Sequence, residues 1–277
     1  MNKRLRDIRH VALDLDGTIY SGGTLFESTR PFLALLAELG VGHTYLTNNS
    51  SKSAKDYLAH LSKIGIAATA DQLYTSTHAT IEHLKQRMPA VRRLFVLGTA
   101  SMSRELAEAG FSMTQDSARE EPDGVLVGFD TDLKFARLCR AAYWISQGKP
   151  FIATHPDRVC PTDRPTVLVD CGSICAALKE ATGRAPTVVL GKPDPAMLRG
   201  ILGRYALVPA QLAMVGDRLY TDMAMAHQTG ALAVLVLTGA TTAAEAANHS
   251  PAPDLVVSGL AEFAEHLRAA KPKKGPK

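Results

Sequence analysis

Residues 11–20, VALDLDGTIY, constrain this chain more than any other stretch. An apolar run delivers Asp14 and, one apolar residue later, Asp16; the Gly17-Thr18 pair then breaks it. The pattern predicts a short buried strand ending in a turn, with two carboxylates at its carboxyl end. In open α/β sheets that end is where ligands bind. Two carboxylates so close repel one another unless a cation or a shared proton offsets them, so the pair predicts a metal ion or a perturbed titration. A strand-end Asp is also a common turn former, and the pair alone leaves both readings open.

At 277 residues the chain exceeds one typical compact domain, which predicts two domains or one with a large insertion. Apolar residues at 46% and charged residues at 21% give the balance of a globular protein rather than a disordered one. The net charge of +4 resides in the tail: Lys271, Lys273, Lys274 and Lys277 stand in the last seven residues, and the remainder is about neutral. No nucleic-acid partner is therefore expected, and residues 271–277 read as a solvated, disordered basic tail. No apolar run approaches the roughly 18 to 20 residues of a membrane span, and the start lacks a signal-peptide pattern. A cytoplasmic protein with no membrane partner is the expectation. Cys139, Cys160, Cys171 and Cys175 show neither CxxC nor zinc spacing, so reduced thiols are expected, with Cys160 the most exposed.

The rest of the chain alternates in α/β style. Residues 28–39 place apolar side chains at 32, 35, 36 and 39, one helix face, and Gly40 supplies the stop. A strand at 41–46 leads to Thr47-Asn48-Asn49-Ser50-Ser51, small polar residues that present hydroxyls and backbone N–H groups where a helix over 51–64 begins. Helix amino termini favour anions, and plain capping by Ser50 or Ser51 is compatible with that reading. Further on, strands are expected at 93–97, 125–129, 151–154 and 187–190. Helices are expected at 77–88, 101–109, 133–147 and 175–182. Phe135, Leu138, Ala142 and Ile145 form the inner face of the third of these, and Trp144 belongs to the same core. Residues 155–165, with three prolines, read as a loop. Lys192, between Gly191 and Pro193 at a strand end, must reach out from a turn. Asp217 and Asp222 follow the apolar strand at 212–215, and Asp254 reads as a turn residue.

Asp14, Asp16, Thr47, Lys192, Asp217 and Asp222 are thus expected at one edge of a single parallel sheet. Four motifs in this order, Asp14-Leu-Asp16-Gly-Thr18, Leu46-Thr47-Asn48-Asn49, Gly191-Lys192-Pro193 and Gly216-Asp217-Arg218-Leu219-Tyr220-Thr221-Asp222, resemble the haloacid dehalogenase superfamily of phosphohydrolases. The TNNSS, GKPDP and GDRLYTD runs resemble the subfamily of NagD-type nucleotidases, 4-nitrophenyl phosphatases and phosphoglycolate or pyridoxal phosphatases. The resemblance implies a Rossmann-like parallel-sheet core, residues 1–77 and 188–277, with an inserted α/β cap of the C2 type at 78–187. About 140 residues separate Thr47 from Lys192, far more than one crossover requires.

The same resemblance implies an Mg²⁺-dependent phosphatase acting on small phosphorylated metabolites. Asp14 is implied as the nucleophile that becomes an aspartyl phosphate and Asp16 as the acid and base. Lys192 would offset charge, and Thr47 with the backbone at Asn48 would hold the phosphoryl group. Asp14, Asp16 through its backbone carbonyl, and Asp217 would hold the metal. Thr18 would fix the loop, while Asp222 would hold a metal-bound water or orient Lys192. Oxygen ligands with retained waters select Mg²⁺ over zinc. Cap loops are expected to set specificity, with Asp130, His155 and Asp170 as candidates. His155 stands where many relatives have Asn, and Asp170-Cys171-Gly172-Ser173 replaces a Gly-rich stretch. His155 reads equally as a solvated loop residue, and Asp170 as a helix cap. Caps of this subfamily often pair, which makes a homodimer an expectation. A non-catalytic binding protein on the same fold is the rival reading; it would be expected to lose Asp14, Asp16 or Lys192, and all three are present.

Overall fold

The computed structural model describes residues 3–161 and 166–271, so all but Lys271 of the expected tail at 271–277 lies outside the described residues. The chain divides into two compact units, one of residues 1–46, 61–73 and 195–277, the other of residues 47–60 and 74–194. Among the described residues no helix is long and apolar enough to cross a membrane.

The first unit is built on a parallel sheet. Its strands run Leu255–Val257, Leu232–Val236, Leu212–Gly216, His10–Asp14 and Gly42–Thr47 in spatial order, with Leu73–Thr75 at the outer edge. His10–Asp14 is central and buried at every position, which explains its unbroken apolar run: a strand covered on both faces has no polar side. Leu13 pairs with Tyr45 on one side and Val215 on the other. That register brings Asp14 and the turn after Val215 out at the same sheet edge. The helix Thr29–Glu38 buries Phe32, Leu35 and Leu36. It packs on Leu260–Ala270, where Phe263 meets Phe32 with ring centroids 5.5 Å apart. The apolar stripe stops at Leu39 because Gly40 adopts φ +65°, a conformation that ends a helix at little cost only for glycine.

The second unit holds its own parallel sheet, in the order Val188–Val189, Phe151–Ala153, Gly124–Val127, Arg93–Leu97, Ser112–Met113. Alternate residues of each strand feed two cores. Phe95, Val125, Val127 and Phe151 pack with Trp144, Ile145, Ile174 and Leu178. Leu94, Val96, Leu126 and Ile152 pack with Leu84, Met102 and Leu106.

Several expectations change here. The strand before Lys192 is not part of the sheet that carries Asp14: Val188 pairs with Ile152 and Val189 with Ala153, in the second sheet. The single-sheet picture fails because a two-residue strand takes its partner from its neighbours and not from its own apolar pattern. Phe135, the first residue of the helix Phe135–Ser146, is 80% exposed, and Ala141 lines the inner face beside Leu138, Ala142 and Ile145. Within the loop expected at 155–165, Val159–Pro161 is a strand paired antiparallel with Val167–Val169. The helix expected from 175 starts at Cys171, because the Asp170 carboxylate accepts the Cys171 N–H at 2.6 Å. The helix after Thr47 starts at Ala54, with Ser53 Oγ accepting the Asp56 N–H, so neither Ser50 nor Ser51 caps it. Cys139 is the exposed thiol and Cys160 is only partly exposed. Asp254 does more than turn the chain: its Oδ2 accepts from Arg4 Nη1 and from the Ala233 N–H, both at 2.8 Å.

Candidate active site

In the first unit, Asp14 closes the central strand and is buried. Asp217 follows the neighbouring strand Leu212–Gly216, and Asp222 lies in the π-helical turn Leu219–Met223. Each of Asp14, Asp217 and Asp222 offers a carboxylate oxygen within 4.8 Å of the others, and all three are buried. Three buried carboxylates at that spacing need compensating positive charge or shared protons. Their donors are hard oxygens only, which suits a small divalent cation such as Mg²⁺ rather than a soft metal.

Close backbone holds this cluster in shape. Asp217 Oδ2 accepts the Ala240 N–H at 2.6 Å. A Cβ on Gly239 would lie 2.0 Å from that oxygen, and one on Gly17 2.4 Å from it. Gly17 also adopts φ +81°, so glycine is required there twice over. The Gly17 carbonyl accepts from Thr238 Oγ1 at 2.6 Å, which ties the Asp16-Gly17 turn to the loop after Leu232–Val236. A Cβ on Gly216 would lie 2.3 Å from Asp222 Cγ, and Asp222 Oδ2 accepts the Arg218 N–H at 3.2 Å. Thr18 Oγ1 donates to Asp14 Oδ2 at 3.4 Å. Asp16 is exposed, stands outside the cluster of three, and accepts from the Tyr20 hydroxyl at 3.3 Å.

In the second unit, Thr47, Asn48 and Lys192 are all buried. Asn48 Oδ1 accepts the Lys192 N–H at 2.7 Å, and Asn48 Nδ2 donates to the Lys192 carbonyl at 2.9 Å. Thr47 Oγ1 accepts the Asn49 N–H at 3.2 Å; Asn49 Oδ1 in turn accepts from the Ser51 N–H and hydroxyl. Ser50 is fully buried: its Oγ accepts the Phe129 N–H at 2.9 Å and meets Thr154 Oγ1 at 3.2 Å. In the run of small polar residues after Thr47, the Ser51 hydroxyl is thus held locally and that of Ser50 by residues far along the chain.

The three specificity candidates are buried in the same unit. Asp130 Oδ1 accepts the Asp132 N–H at 3.1 Å and shapes its own turn. His155 meets Thr154 Oγ1 through Nδ1 at 2.8 Å and Asp170 Oδ1 through Nε2 at 2.9 Å, and Asp170 caps the next helix with the same oxygen. His155 is therefore not a solvated loop residue. Sequence reasoning missed Gly239 and Ala240. The signal available was a Thr-Gly-Ala run just after an apolar strand of the same sheet, the position from which Asp14 and Asp217 are also delivered.

A parallel sheet with buried carboxylates where its strands end makes an α/β core with an acidic site, and comparison with known proteins supplies its class. The family described as haloacid dehalogenase-like hydrolase matches residues 11–112, and a related hydrolase-like family matches residues 189–263. An acid sugar phosphatase of Staphylococcus saprophyticus is 30% identical over 263 residues, covering 95% of this chain and 99% of its own. The crystal structure of a 4-nitrophenylphosphatase from Thermotoga maritima superposes with a TM-score of 0.89 at 37% identity, covering 95% of this chain and 98% of that one. A glycerol phosphate phosphatase from Mycobacterium tuberculosis, solved in complex with magnesium, gives 0.86 at 29% identity, covering 99% of this chain and 82% of that one. The chain belongs to the haloacid dehalogenase-like hydrolases. It is a phosphoric monoester hydrolase.

Proposed function

We propose that the protein is an Mg²⁺-dependent phosphatase of small phosphorylated metabolites that works through an aspartyl phosphate on Asp14. The observation that carries this reading is the buried cluster of Asp14, Asp217 and Asp222, with Asp14 at the end of the central strand. Asp14 and Asp217 would hold the metal by their carboxylates and Asp16 by its backbone carbonyl, with Asp222 supporting the cluster. When bound, the cation supplies positive charge that lets an anionic carboxylate approach an anionic phosphate.

An Asp14 oxygen attacks phosphorus as the ester P–O bond breaks, and Asp16 gives its proton to the departing alkoxide. Asp16 then takes a proton from water as that water attacks phosphorus, which releases inorganic phosphate and restores Asp14. The exposure of Asp16 supports a role that exchanges protons with solvent and the leaving group. Thr47 and the backbone at Asn48 would hold the phosphoryl group, and Lys192 would offset its charge. Thr18, bonded to Asp14, fixes the nucleophile.

The substrates we propose are sugar phosphates and comparably small esters, among them glycerol phosphate, nucleoside monophosphates, phosphoglycolate and pyridoxal phosphate. The names of the relatives support the first of these and glycerol phosphate. A cap formed by residues 78–187 would read the leaving group and pair in a homodimer, in a cytoplasmic protein. Within it, buried His155 and Asp170 would act on specificity by shaping the turn of residues 154–157, and Asp130 by shaping its own.

Phosphate release from a panel of phosphomonoesters, with Mg²⁺ and with a chelator, tests the reading. Release should require the metal and vanish in folded Asp14→Asn. Residual activity within about tenfold of wild type, roughly 1.4 kcal/mol in barrier, would sink the role of Asp14.

A further inference from the structure

The two main-chain bonds between Asn48 and Lys192 demand one orientation of the Asn48 amide. Flipped, its NH₂ would face the Lys192 N–H and its oxygen the Lys192 carbonyl. One Nδ2 hydrogen serves the Lys192 carbonyl, and the other points to Asp157 Oδ2 at 3.2 Å. A carboxylate oxygen accepts and does not donate, so Asp157 selects the amide orientation that Lys192 requires. All three side chains are buried, where an amide set the wrong way round would leave two polar pairs unmade.

The neighbouring backbone leaves no slack around this relay. A Cβ on Gly191, which adopts φ +68°, would lie 2.8 Å from Asn48 Oδ1 and equally close to His155 Cβ. The Asn48 carbonyl accepts from Ser76 Oγ at 2.5 Å. Asp157 is fixed by its own carbonyl, which accepts the Gly172 N–H at 2.7 Å in the first turn of the helix Cys171–Thr182.

We infer that Asp157 is a positioning residue for Lys192, acting through the side chain of Asn48. The inference rests on the catalytic reading of Lys192 proposed above. A lysine that offsets charge as the phosphoryl group transfers must be aimed before the reaction, and a small misplacement costs rate more than binding.

The test is steady-state kinetics with Mg²⁺ on an aryl phosphate and two sugar phosphates. The variants are Asp157→Ala, Asp157→Asn, Asn48→Ala, the double alanine variant and Lys192→Ala, each shown to be folded by thermal melting. Asp157→Ala should lower kcat about tenfold or more, by a common factor on every ester, with KM within about threefold. Asp157→Asn, whose amide oxygen still accepts, should recover most of that loss. The double variant should be no slower than Asn48→Ala alone, since both changes cut the same relay. If Asp157→Ala does not fold, Asp157→Ser, which leaves room for a water, takes its place. A kcat within about twofold of wild type, a loss that differs among esters, or multiplicative losses in the double variant would each overturn the inference. Lys192→Ala separates the two levels. If it retains activity within about tenfold of wild type, the catalytic reading of Lys192 fails; if it loses more than about a hundredfold while Asp157→Ala is unaffected, only the inference fails.

Discussion

His155 Nε2 stands 2.9 Å from Asp170 Oδ1, with the ring wholly removed from solvent. Burial by itself would lower the imidazole pKa. The electrostatic influence of the adjoining Cys171 sulfur, then the hydrogen bond and charge of Asp170, with Asp157 beyond, outweigh it and raise the group to about 9. The pair closes the ends of one segment, since His155 follows the strand Phe151–Ala153 and Asp170 caps the helix Cys171–Thr182.

A group whose folded pKa exceeds its unfolded value, ordinarily near 6.5 for histidine, adds stability in full below that value and loses it as pH climbs through the folded one. The advantage in Tm of wild type over His155→Gln should therefore be largest at pH 6.5 and narrow towards pH 9. Thermal melts of both proteins across that window check it. A constant gap would show that the imidazole holds no extra proton in the folded state.

Glu105 should produce the opposite response to substitution. Its Oε1 accepts the Ala54 N–H at 3.4 Å and faces His78 Nε2 at 3.3 Å. Burial chiefly, opposed in part by the Ala54 N–H and reinforced by Glu108 and Asp56, lifts its carboxyl to about 7. A carboxyl raised in this way favours the fold below its ordinary value near 4.5 and ceases to as pH rises through about 7. Glu105→Gln stays neutral throughout, so it should melt a few degrees above wild type at pH 8, with the advantage shrinking towards pH 5. Equal displacement at both pH values would refute the assignment.

Much of this was readable in the residues because strands covered on both faces leave a plain mark. The apolar run into Asp14 and that into Asp217 each predicted a buried parallel strand, and both strands are there. The stripe at 32, 35 and 36 likewise predicted the helix Thr29–Glu38. What the residues did not declare depends on pairing across the fold. Val188–Val189 is two residues long, and nothing local states which sheet it joins. Asp157 reads as one more polar residue in a turn until Asn48, 109 positions away, is seen to donate to it. Gly239 and Ala240 carry no titratable side chain, so a search for chemical groups passes over them, although their backbone walls in Asp217.

That wall yields the sharpest prediction for the metal. The Gly239 Cα turns towards Asp217, where a methyl group would lie 2.0 Å from Oδ2 and 2.5 Å from Cγ. No real Cβ sits so close, and the carboxylate cannot retreat freely because the same oxygen accepts the Ala240 N–H at 2.6 Å. Gly239→Ala must therefore move either the loop or the carboxylate proposed to bind Mg²⁺, while Asp14 and Asp16 keep their own partners, Thr18 and Tyr20. The Mg²⁺ concentration for half-maximal phosphate release should rise about tenfold or more, equivalent to roughly 1.4 kcal/mol of binding, with a smaller fall in kcat at saturating metal. Calorimetric titration of Mg²⁺ without substrate should show the same weakening. An unchanged midpoint in a folded Gly239→Ala variant would mean that Asp217 does not hold the ion.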